Sequence, residues 1–466
     1  MKMDFRKGAC IGVVVLVFAP CFAGSLEVAE ADFTVSSCDR LVRDYPVALD
    51  LTYAEGVEFD FKCDDFSPFL MFNCYLKSGD GWYALVMDVE ERAGVQKIAI
   101  RKRDVKWKEG KPAGWHSISG VRLYGYRGNA IKASFAAENF RLLGEIAPKA
   151  GERRFIWCHS PWGLGWKDAD WGKSARMIKG MGFTDVIVSL AWANGAYYAS
   201  DVLPPSPQFL YRKEDAFDMC RAACSTNGLK MHAWMVCFNM GSSCAQKDAD
   251  ALAAAGRVQV DAKGGINARW LCPTHPENVR QVVQALAEMA RKGADGVHLD
   301  YIRYPDGDFC HCARCTEAAK AYPSWDDFRA TTISRVVKEA SAAIRAVKPG
   351  VEVSAAVRNT VDGSSVRSVG QDWHAWCKAG WLDFVCPMDY TPLASCFRAQ
   401  IERQKAEAAP AALYPGIGDV NRWPDPSRDA ARVASFVRTV REAGIGGFCF
   451  FDFNRRAIAA FGGTMK

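Results

Sequence analysis

Four aspartates close strand-like apolar runs in the second half of this chain: Asp300 in GVHLDYIRYP, Asp389 in CPMDYT, Asp419 in PGIGDV and Asp452 in FFDFN. No glutamate occupies such a position. Two carboxylates facing one another across a mouth can cleave a glycosidic bond, one ionised as nucleophile or base, the other protonated as acid. The competing use of each aspartate is to cap the loop or helix that follows it. Asp300 has the most chemistry around it, with His298, Tyr301 and Arg303 as near neighbours. Burying a carboxylate and a guanidinium among Val297, Leu299 and Ile302 is costly unless they are paired or in use.

Aromatic residues gather near the same places. Trp157, Trp162, Trp166, Trp192, Tyr197, Tyr198, Trp234 and Trp270 fall at or just beyond the ends of three earlier apolar runs, and flat ring faces there can stack on pyranose rings. A share of them belongs to the core. His159 and His232 are expected at the same end as donors to sugar hydroxyls. The expected substrate-binding set is therefore His159, Trp162, Trp192, His232, Trp234, His298, Tyr301, Arg303, Tyr390 and Asp452.

Of the 18 cysteines, several lie in apolar runs (Cys158, Cys237, Cys386, Cys449) and read as buried thiols. One cluster differs. Cys310, Cys312 and Cys315 in CHCARC are spaced so that three thiolates can turn onto one ion, and zinc needs a fourth ligand to close its tetrahedron. Cys272 in WLCPTHP is the first choice and Cys244 the second. A disulfide within the triplet is the alternative. Either would be structural, because a closed site leaves no position for substrate. No cofactor is expected for catalysis.

Residues this far apart need a scaffold that brings strand ends together. Strand-like runs occupy 154–159, 184–190, 229–237, 295–302, 351–357, 382–388, 411–416 and 445–452, separated by amphipathic helices such as 276–292 and 325–347. Eight such units fit a (β/α)8 TIM barrel of the α/β class over residues 153–455, whose chemistry lies at the C-terminal strand ends. A doubly wound sheet is disfavoured because no Gly-rich phosphate loop follows the first run. In the fourth run, alternation turns His298 and Asp300 toward the barrel axis and Leu299 toward the helices, with His298 one layer deeper. Residues 25–148 alternate with period two between Gly, Asp and Ser turns, the pattern of a β-sandwich. The polar stretch GEIAPKAGER separates the two.

The first 23 residues have a basic start (Lys2, Arg6, Lys7), an apolar run from Ile11 to Ala19 and a small residue at Ala23, as in a cleaved export signal. That run is too short for a stable membrane span. A net charge of +6 over 466 residues gives no reason to expect a nucleic-acid partner, and nothing in the pattern sets an oligomeric state.

The stretches LCPTHPENVR, GADGVHLDYIRYP and QDWHAWCKAGWLDFVCPMDYT resemble the glycosyl-hydrolase-like 10 proteins, exported bacterial barrel proteins, over roughly residues 153–455. In related retaining barrels of the α-galactosidase kind the nucleophile ends strand 4 and the acid/base ends strand 6. Carried over by position, the resemblance implies Asp300 as nucleophile and Asp389 as acid/base. The cysteine cluster is similar to the zinc knot after strand 4 of family 42 β-galactosidases, whose glutamate catalysts have no counterpart here. The expectation is a secreted retaining glycoside hydrolase acting on a poly- or oligosaccharide, with Arg303 and His298 holding Asp300 ionised. The alternative is a non-catalytic carbohydrate-binding protein built on an inactive barrel, with the sandwich, which on such enzymes often binds carbohydrate, as a second module.

Overall fold

The computed structural model describes residues 29–32, 40–51, 54–127, 132–144, 149–163, 170–241, 244–360, 363–418 and 426–454. The expected leader, Trp166 and Asp419 lie outside the described residues. Two compact units divide between Ala147 and Pro148.

The first unit is all-β. Ala29–Asp32, Lys132–Leu143, Gly56–Lys62 and Val95–Arg101 form one antiparallel sheet, and Arg40–Leu49, Ile118–Arg127, Phe69–Val86 and Trp107–Pro112 form another. Alternation sends Val57, Phe59 and Phe61 from the first sheet, and Phe72, Cys74 and Leu76 from the second, into one core with Phe135. Phe61 and Phe72 meet edge to face with centroids 5.2 Å apart. Each such ring, fully buried, contributes about 1.5–3 kcal/mol.

The second unit is a (β/α)8 barrel. Its parallel strands are strand 1 (Arg153–Cys158), strand 2 (Asp185–Trp192), strand 3 (Lys230–Val236), strand 4 (Gly296–Asp300), strand 5 (Glu352–Val357), strand 6 (Phe384–Pro387), strand 7 in two pieces (Ala412–Leu413 and Gly416–Ile417) and strand 8 (Gly447–Phe451). Strand 8 pairs with strand 1, Cys449 opposite Phe155, which closes the cylinder. The surrounding helices start where the sequence supplies caps. Asp170 accepts from the Lys173 amide before Trp171–Gly180, and Ser324 from the Asp327 amide before Trp325–Val347. Pro276 opens Pro276–Arg291, where a missing N–H costs nothing.

Inward residues fill the cylinder in layers. Phe155, Ile187, Trp234, Phe384, Cys386, Tyr414 and Cys449 pack together. On strand 4 the inward positions are Gly296, His298 and Asp300. A Cβ at Gly296 would lie 2.0 Å from Nδ1 of His232, so only glycine lets strand 4 approach strand 3 there. Below this layer Arg153 pairs with Asp185 and with Glu352, 2.6 Å away, while His232 Nε2 lies 3.0 Å from Asp185. These residues start their strands, or nearly so, and form the barrel floor.

Candidate active site

Asp300 is the last residue of strand 4 and is 8% exposed. Tyr301 follows at φ 47°, in the left-handed region that is strained for a tyrosine. Its amide donates to Asp300 Oδ1 at 2.7 Å. Burial pushes the Asp300 carboxyl up to about 6, although the Tyr301 amide, the Arg303 guanidinium and the Trp234 indole pull it down. A carboxyl poised there is ionised at neutral pH and within reach of protonation.

Aromatic and cationic groups form the surrounding wall. The Arg303 guanidinium lies 4.8 Å from the Tyr301 ring and 5.4 Å from that of Trp270. On strands 1 to 3, exposed His159 stands with its centroid 5.5 Å from Trp234 and 6.1 Å from the half-buried Trp192. His159 also sets the charge environment of Asp452, which follows strand 8. Burial raises the Asp452 carboxyl, with Asn454 and His159 acting against it. Tyr390, after strand 6, packs on Phe451 at 5.6 Å, and burial and the charges of Cys449 and Asp300, among others, push its hydroxyl well up. The rings of His159, Trp192 and Trp234 thus lie together at the ends of strands 1 to 3.

Five of the residues expected here lie elsewhere. Asp389 is 1% exposed and accepts from Gln404 Nε2 at 2.7 Å, on the outer helix Ala394–Ala408. Strand 6 turns Phe384 and Cys386 inward, so alternation carries Met388 and Tyr390 to the mouth and Asp389 away from it. Burial raises its carboxyl well above the usual range, opposed by Gln404, and Oδ2 has no partner among the described residues. His232 belongs to the floor: it is the third residue of strand 3, and the chemistry end lies four residues further on. His298 is fully buried midway, with Trp157 Nε1 donating to its Nε2 at 3.2 Å and Ser354 Oγ 2.8 Å from its Nδ1. Burial, then His232, hold it down at about 3, so a neutral ring cannot keep Asp300 ionised by charge. Trp162 is fully buried with Arg212 stacked on it at 4.8 Å, which leaves no face for a sugar. Trp234, also expected to meet substrate, is 3% exposed and packs in the core, and Trp157 and Tyr198 are likewise core, the latter donating to Glu288.

The sequence reading missed Arg358, which follows strand 5, pairs with Asp306 and lies close enough to lower the Arg303 guanidinium. Its signal was its place immediately after Ala355-Ala356-Val357, where a charged residue meets the mouth. Among the described residues two groups could hold a metal: Cys272, Cys310, Cys312 and Cys315, and the floor trio Asp185, His232 and Glu352. In the trio the cationic position is filled by Arg153.

The Glycosyl hydrolase-like 10 sequence profile matches residues 154–414, more than half of the chain. The chain belongs to that family. Solved structures with a similar course include the catalytic domain of a β-amylase from Paenibacillus polymyxa (12% identity, 66% of this chain and 94% of that one, TM-score 0.46). A β-galactosidase from the psychrophilic Marinomonas ef1 (12%, 67% and 58%, TM-score 0.47) and a GH113 β-1,4-mannanase (13%, 67% and 92%, TM-score 0.38) are similar in the same way. The match spans just over half of that galactosidase. No curated protein matches. Among the described residues no helix is long and apolar enough to cross a membrane.

Proposed function

We propose that this family member is an exported glycoside hydrolase that cleaves a poly- or oligosaccharide with retention, using Asp300 as nucleophile and Asp452, rather than Asp389, as acid/base. The observation that carries this reading is the carboxyl at the end of strand 4, held at about 6 beneath an aromatic wall. Asp300 attacks the anomeric carbon and Asp452 protonates the departing oxygen. Asp452 then takes a proton from the water that attacks the glycosyl-enzyme, returning both carboxyls to their starting states. Asp300 is the deeper group, which suits a nucleophile approached only by substrate, whereas Asp452 is more open and suits exchange with water. Trp192 supplies a ring face, while Trp234 is sealed in the barrel core, and Arg303 and His159 supply donors to hydroxyls.

In the sandwich, Tyr75, Trp82, Trp107, Tyr124 and Tyr126 line the face of the second sheet away from the core, with Arg122 4.7 Å from the Trp82 ring. Such a face supports a carbohydrate-holding role for this unit. Retention of the full chain on insoluble polysaccharide, weakened by Trp82→Ala, is the expected result.

The sealed position of Asp389 favours a second reading, a sugar receptor on an inactive barrel. Screening the full chain against aryl glycosides and polysaccharides separates the two. Turnover that disappears in Asp300→Asn while sugar binding persists supports the hydrolase. Binding without turnover in the unaltered chain overturns it.

A further inference from the structure

Four cysteine sulfurs from two segments converge behind the loop that follows strand 4. Cys272 Sγ lies 3.5 Å from Cys315 Sγ and 3.8 Å from Cys312 Sγ, and with Cys310 all four sulfurs lie within 4.8 Å of one another. All four are unbridged, three buried and Cys312 partly so. A disulfide requires about 2.05 Å between sulfurs, whereas a tetrahedral ion with bonds near 2.3 Å places its sulfurs roughly 3.8 Å apart. The spacing here is that of ligands around an ion.

The surroundings offer donors to sulfur. The Val260 amide donates to Cys310 Sγ at 3.3 Å. The Thr274 hydroxyl lies 3.0 Å from Cys272 Sγ and 3.1 Å from Cys315 Sγ. Donors converging on sulfur are what thiolate ligands receive from the groups around a metal. Four thiolates this close, largely out of water, repel one another strongly unless a cation lies between them.

We propose that Cys272, Cys310, Cys312 and Cys315 bind one zinc ion as a structural centre. Binding replaces four thiol protons by Zn²⁺ with no change of oxidation state, and four protein ligands leave no open position for substrate. The centre ties together two walls of the mouth. The hairpin Val258–Val260 and Ile266–Leu271 runs directly into Cys272, and its Trp270 lies 5.6 Å from Tyr301 and under Arg303. From the other side His311 donates its amide to Val260 O at 2.7 Å. Metal at the cysteines therefore fixes Trp270 against the residues next to Asp300. This assignment stands apart from the hydrolase reading and survives its failure.

The test is metal analysis and X-ray absorption on the purified full chain. The expected result is about one zinc per chain with a four-sulfur shell near 2.3 Å, and cobalt substitution giving the bands of a tetrahedral thiolate site. Cys312→Ser and Cys315→Ser should each lower zinc affinity by at least about tenfold, while Cys396→Ser, at an exposed cysteine, should leave it unchanged. The unaltered chain decides the matter even if the variants fail to fold. Metal-free protein with a disulfide among the four cysteines overturns the proposal, as does iron in place of zinc, or a zinc shell of nitrogen and oxygen.

Discussion

The two ends of the barrel treat the same side chain in opposite ways. At the floor, burial pushes Asp185 up, but the hydrogen bond and charge of His232 and the guanidinium of Arg153 outweigh it and hold the carboxyl at about 2. At the mouth, burial wins: Asp300 is pushed up to about 6, and Asp452 is raised as well. The difference is whether a cation lies within hydrogen-bonding distance. A carboxylate with its own arginine is a fastener, while one buried with only an amide and a distant guanidinium remains able to exchange a proton.

Substitutions at each end can break this contrast. Asp300→Asn should reduce turnover by at least about 10³-fold, as loss of a nucleophile does. It should also make the protein more stable at pH 7. A carboxyl whose folded value is raised from 3.8 to about 6 contributes stability fully below pH 3.8 and loses it as pH rises through about 6. The amide escapes a cost of roughly 3 kcal/mol, measurable by denaturant unfolding at pH 7 against pH 4. Asp452→Asn should lower kcat by about 10²–10⁴-fold, less for substrates with good leaving groups. A drop under tenfold would remove Asp452 from the mechanism.

Asp185→Asn should do the reverse of Asp300→Asn, costing about 3–5 kcal/mol in unfolding experiments by leaving Arg153 underpaired, with kcat of the folded fraction unchanged. Its contribution is present above pH 3.8 and fades as pH falls through about 2. The acidic limb of kcat/KM should have an apparent pKa near 6, and Arg303→Met should move it upward by about one unit by removing a positive neighbour. The smallest expected effect is Asp389→Asn, with kcat within about threefold of the unaltered protein, because its carboxyl faces Gln404 and not the mouth. A large loss there would restore strand 6 as the acid/base position.

The barrel was legible because its signals are local and repeated. Apolar runs and amphipathic helices placed all eight strands to within a few residues, and Pro276–Arg291 and Trp325–Val347 fall on the amphipathic stretches 276–292 and 325–347. The convergence of the four cysteines was legible for the same reason, three of them lying within six residues. Depth along a strand was not. His232 and Asp300 both read as polar residues on inward faces, yet one starts its strand and the other ends it. Face was lost at Asp389 because its place beyond an apolar run says nothing of direction until Phe384 and Cys386 are seen to point inward, which turns it away from the mouth. Exposure of Trp162 depended on Arg212, 50 residues away, which no local pattern contains.

Strand 7 divides the cylinder in a way that bears on its motions. Among the described residues, Ala412–Leu413 pairs with strand 6 and Gly416–Ile417 with strand 8, while between them Tyr414 donates to Val385 and Pro415 accepts from Cys449. The ladder there is short on both sides, and Pro415 has no amide to add. Amide hydrogens of this seam should exchange with deuterium earlier than those of strands 2 to 4, whose ladders are longer. The barrel wall is then a clasp as much as a cylinder, and its earliest opening lies just below Tyr390 and Phe451, on the side of the mouth that carries Asp452.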